Sequence, residues 1–84
     1  METPEVIRAR ATLEATKLRT RAAHQETQAA SYRRQAAKPM YEGQTEICLG
    51  KAAEVEALAA ENRARAALIE AEARAAADRL GANQ

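Results

Sequence analysis

The chain has 84 residues, with 13 Lys/Arg against 12 Asp/Glu, one Cys, one His and no Phe or Trp. A single cysteine excludes an internal disulfide, and no Cys/His cluster has metal-ligand spacing, so neither a covalent nor a metal staple is available to so short a chain. Its apolar runs are too short to span a bilayer, its first residues lack the charged and apolar regions of a signal peptide, and it carries no Gly-rich phosphate loop.

Thr3-Pro4-Glu5 reads as a helix start: Thr3 can cap free amides, Pro4 suits the first helical position and Glu5 meets the positive end of the dipole. From Pro4 to Ala37 there is no Gly and no further Pro, and Ala, Arg, Leu, Glu and Gln dominate, which predicts helix 1 over about 4–37. Ile7, Ala11, Leu18, Ala22, Ala29 and Ala36 share one narrow stripe with Tyr32 at its edge. Val6 and Leu13 form a second, shorter apolar patch.

Lys38-Pro39 should end this helix, because Pro39 disfavours helical geometry in the residue before it. Residues 38–44 then form a connection that Gly43 can turn with a positive φ, and its length suits two antiparallel helices. Thr45 is the expected N-cap of helix 2, predicted over about 45–80, with Leu80-Gly81 as its stop and residues 81–84 as a frayed tail. Gly50 marks either a close backbone approach or the point after which the continuous helix starts.

Helix 2 presents two apolar faces. Ile47, Leu58, Ile69 and Leu80 recur every eleven residues, a spacing that favours straight or weakly right-handed packing. Opposite them Ala53, Ala57, Ala60, Ala64, Ala67, Ala71 and Ala75 recur at threes and fours. The first face is expected to pack inside the chain, as Ile7 and Leu18 against Leu58, Ile69 and Leu80, with Val55 beside them. The alanine strip is left for a partner, either a second copy or another helical protein. Asn62, in the middle of the aliphatic face, is a candidate for fixing register.

Residues 1–41 carry eight Lys/Arg against four Glu, and residues 42–84 carry five against eight Asp/Glu, so the two halves attract. The expected fold is therefore an all-α, antiparallel two-helix hairpin forming one unit over 1–84 and assembled into a larger helical bundle. The competing arrangement sets the two helices end to end in an extended coiled coil.

The carboxylates are spread as solvated seams and His24 has no Ser, Cys or Asp at triad spacing, so the expectation is no enzyme, no catalytic residue, no cofactor and no small-molecule substrate. Cys48 reads as a small buried apolar residue. A rival signal lies in Arg8, Arg10, Arg19, Arg21, Arg33 and Arg34, which could contact nucleic-acid phosphates while Tyr32 stacks on a base. The apolar stripe lacks the side chains of membrane-surface helices. The function these features favour is structural or adaptor, exerted through helix packing in the cytoplasm or inside a particle such as a phage.

Overall fold

Thr3, in extended conformation, accepts a hydrogen bond from the Val6 amide on its Oγ1 at 3.2 Å, and Pro4 follows at the first helical position. These two residues open α1, Pro4–Ala37. The structure, a computed structural model, describes residues 2–82. α1 ends at Lys38, which Pro39 forces out of helical geometry (φ −131°, ψ 68°). Gly43 turns the chain with φ +87°, a left-handed conformation that costs glycine little. α2, Gln44–Ala82, then runs back along α1.

The turn differs from expectation at Thr45. α2 begins one residue earlier, and the Thr45 hydroxyl donates instead to the Ala36 carbonyl at 2.8 Å. Gln44, buried beside it, donates from Nε2 to the Gln35 carbonyl at 3.0 Å and accepts from the Met40 amide at 2.8 Å. Carbonyls at the end of one helix are thus satisfied by side chains at the start of the next, which ties the connection down. At the far end α2 runs through Leu80 and Gly81 to Ala82; the rest of the expected frayed tail, residues 83–84, lies outside the described residues. Gly50 is interior to α2 with open space around it, so it marks neither a helix start nor a close approach within the hairpin.

The two helices form a rod 66 × 14 × 14 Å, folded back and not end to end. Its seam is made mostly of alanine. On α1, Ala11, Ala15, Ala22, Ala29 and Ala36 are buried, with Leu18, Gln25 and Tyr32 half-buried between them. On α2, Cys48, Ala52, Ala59, Asn62, Ala66 and Ala77 are buried, with Val55, Ile69, Ala73, Ala76 and Leu80 half-buried. Both sets step by threes and fours, the heptad spacing that a left-handed supercoil keeps in phase.

The eleven-residue aliphatic stripe is therefore not the seam. It drifts across it: Ile47 and Leu58 are 51% and 49% exposed, whereas Ile69 and Leu80 are half-buried. Leu58 drops out of the expected internal packing set. Ile7, Leu18, Val55, Ile69 and Leu80 keep a partial share, and the alanines take the centre. The physical reason is closeness, since a seam of small side chains lets two helical backbones approach and gain dispersion contacts along their whole length.

Candidate functional site

In a rod-shaped fold the surfaces that run along the rod are the ones available to other molecules. In heptad terms the buried alanines at 15, 22, 29, 36, 52, 59 and 66 occupy position a, and Leu18, Gln25, Tyr32, Val55, Asn62 and Ile69 occupy position d. Position e lies beside a, and position g beside d, so the rod has an edge next to its smallest side chains and an edge next to its larger ones.

The first, narrower edge carries three cross-helix ion pairs, and beyond Glu70 a hollow lined by Arg8, Thr12 and Arg74. Arg19 pairs with Glu70, Glu26 with Arg63 and Arg33 with Glu56, each pair one heptad from the next. Arg63 Nε and a terminal nitrogen reach the two Glu26 oxygens at 3.0 and 2.6 Å, and Arg33 Nε reaches Glu56 at 2.9 Å. The signs alternate along each helix. A slip of one heptad in either direction sets arginine against arginine or glutamate against glutamate, so these exposed pairs select register more than they add stability. Hydrogen bonds from Arg63 hold the Glu26 carboxyl below its ordinary range, and Arg19 does the same to Glu70. The two guanidiniums are correspondingly raised.

In the seam itself, Asn62 Nδ2 donates to Gln25 Oε1 at 2.9 Å, with Asn62 only 8% exposed. This is the one polar cross-pair among the described buried seam residues midway along the rod. Cys48 is buried with its thiol 4.0 Å from the Gln35 amide oxygen.

The wider edge is different. Glu2, Ile7, Arg10, Glu14, Ile69 and Glu72 line one hollow, and Glu14, Lys17, Leu18, Arg21, Arg65 and Ile69 line the next. Here like charges face each other across the hairpin: Glu14 with Glu72, then Arg21 with Arg65. Half-buried Leu18 and Ile69 form the floor, and Leu58 and Leu68, 49% and 57% exposed, stand on its α2 side.

The residues expected to meet a partner, Ala53, Ala57, Ala60, Ala64, Ala67, Ala71 and Ala75, are all exposed on the outer side of α2. The six arginines expected to meet phosphates do not form one face. Arg19 and Arg33 are engaged on the narrow edge, Arg10 pairs with Glu2, and Arg21 lines the opposite edge. Arg8 and Arg34 are exposed, and Tyr32 is half-buried in the seam. His24 is exposed on α1 among polar neighbours. Among the described residues no group of three His, Cys, Asp or Glu could hold a metal ion, and no helix is long and apolar enough to cross a membrane.

The feature missed by hydrophobic pattern is the alanine seam at 52, 59 and 66. α2 carries one alanine series at threes and fours, on its outer side, and another at sevens, at 52, 59 and 66, alternating with Val55, Asn62 and Ile69. Periodicity cannot say which faces inward. The signal that could have chosen between them is the heptad-spaced Arg19-Glu26-Arg33 set against Glu56-Arg63-Glu70. No family model matches this sequence, and no curated protein or solved structure is significantly similar to it.

Proposed function

We propose that the protein is a non-enzymatic structural or adaptor subunit that acts through helix-helix packing, with copies of itself or with another helical protein, as a small component of a larger assembly in the cytoplasm or within a particle such as a phage. One observation supports this above the others. The hairpin keeps alanine inside and leaves large apolar side chains outside: Val6, Leu13, Met40, Tyr41, Ile47, Leu49, Leu58 and Leu68 are each at least 43% exposed. A chain selected to be a lone monomer would gain more by burying these than by burying alanine. The competing nucleic-acid reading draws less support, because Arg10, Arg19 and Arg33 are already committed to carboxylates.

Light scattering coupled to size exclusion tests the proposal. The expected result is a species larger than a monomer whose melting temperature rises with protein concentration. Ala64→Glu, on the exposed strip, should keep helicity, and a loss of association in this variant would place the contact on that strip. A monomer with a concentration-independent melting temperature would overturn the self-assembling form, and salt-sensitive capture of DNA or RNA at low ionic strength would favour the arginine reading.

A further inference from the structure

The two edges of the rod solve opposite electrostatic problems. On the narrow edge Arg19, Arg33 and Arg63 each face a glutamate of the other helix. On the wide edge Glu14 and Glu72 line one hollow together with Glu2 and Arg10, while Lys17, Arg21 and Arg65 line the adjoining one, with Glu14 at the border of the two. Within a single copy this arrangement leaves the Glu14/Glu72 and Arg21/Arg65 pairs each with like charge across the seam. The two clusters are, however, opposite in sign and one heptad apart on both helices, with Leu18 and Ile69 between them. Arg10 and Glu61, which temper the two clusters, are each occupied locally, by Glu2 and by Arg65.

A twofold axis crossing the rod at the level of Leu18 and Ile69 turns this pattern into a match. It reverses one copy along the rod and lays α1 on α1 and α2 on α2. The acidic cluster of each copy then meets the basic cluster of the other, and the half-buried Leu18 and Ile69 meet their counterparts with Leu68 beside them. We propose that a second copy of this chain docks on the wide edge in this way, with Glu14 and Glu72 of each copy facing Arg21 and Arg65 of the other. The contact is isologous and closes at two copies. It runs over about 28 residues of each helix, ~40 Å at 1.5 Å per residue, and as wide as two helices, which is on the order of the ~800 Å² per partner of a standard interface. The hairpin tips project free at the two ends.

This inference rests on the assembly reading above and names the partner and the surface. Three chains test it by sedimentation equilibrium, with helicity followed in parallel. The unaltered chain should be a dimer that weakens as salt is raised. R21E/R65E makes both clusters acidic and E14R/E72R makes both basic; each should be monomeric alone, and their equimolar mixture should regain the dimer. If a doubly reversed chain loses helicity, the milder pair R65E and E72R is read the same way. Reversed chains that self-associate like the unaltered one, or a mixture that stays monomeric, would overturn the proposal. Ala64→Glu separates the two ideas: association that is lost in Ala64→Glu but survives charge reversal refutes the edge dimer and leaves the assembly reading standing. An unaltered chain that stays monomeric refutes the edge dimer and the self-assembling form of the assembly reading, and leaves another helical protein as the partner.

Discussion

Asn62 and Gln25 meet where a coiled coil would ordinarily bury two aliphatic side chains. Removing either amide leaves the other without its partner in a partly dry seam, so Asn62→Ala and Gln25→Ala are each expected to lower stability by about 1 kcal/mol. The double variant should cost less than the sum of the two in thermal melts, because the shared bond is lost only once. Glu26 and Glu70 give a second handle. Their carboxyls titrate lower when folded than when unfolded, so their contribution is complete above the ordinary carboxylate value of about 4.3 and is lost as pH falls through the lower folded values. The melting temperature should therefore hold from neutral pH down to that value and fall below it. In a Glu26→Gln/Glu70→Gln variant the acid-side fall should be shallower and the neutral-pH melting temperature lower; an unchanged acid limb would show that these pairs do not reach solution. The raised values of Arg19 and Arg63 add stability that is lost only at strongly alkaline pH.

At the scale of the helices, size decides what lies inside. Ala66 is fully buried, so Ala66→Leu must push the backbones apart and is expected to cost about 1–3 kcal/mol. Leu58→Ala removes a larger group from a half-exposed position and should change stability by less than about 0.5 kcal/mol when the protein is dilute. If the eleven-residue stripe were the seam, that order would reverse, and chemical denaturation of the two variants distinguishes the cases. Both helices, the break before Pro39, the turn at Gly43 and the fold-back were legible because capping, proline sterics and charge balance are local or additive properties of sequence. The inner face of α2 was not, because aliphatic side chains dominate any hydrophobic count while the closest packing belongs to alanine. Thr45 and Gln44 were misjudged for a related reason: their partners are carbonyls of another helix, which no local pattern contains. The wide edge, with Glu14 against Glu72 and Arg21 against Arg65, emerges only once the register between the helices is fixed.

For the molecule as a whole, the tip that Gln44 and Thr45 tie to Gln35 and Ala36 has a kinetic consequence. Those partners are nine residues apart, so closing this loop costs little chain entropy, and each further heptad adds contacts to a hairpin already begun. Folding is expected to start at the tip and zip toward the open end, with the last turns forming only after the rate-limiting step. In stopped-flow refolding, Thr45→Val should slow folding while leaving unfolding nearly unchanged, and Leu80→Ala should chiefly speed unfolding. Leu18 and Ile69 lie beyond the midpoint of the zipper, so on this order of events the chain is expected to complete its own register before it presents that surface to another, which would disfavour the exchange of helices between two unfinished chains.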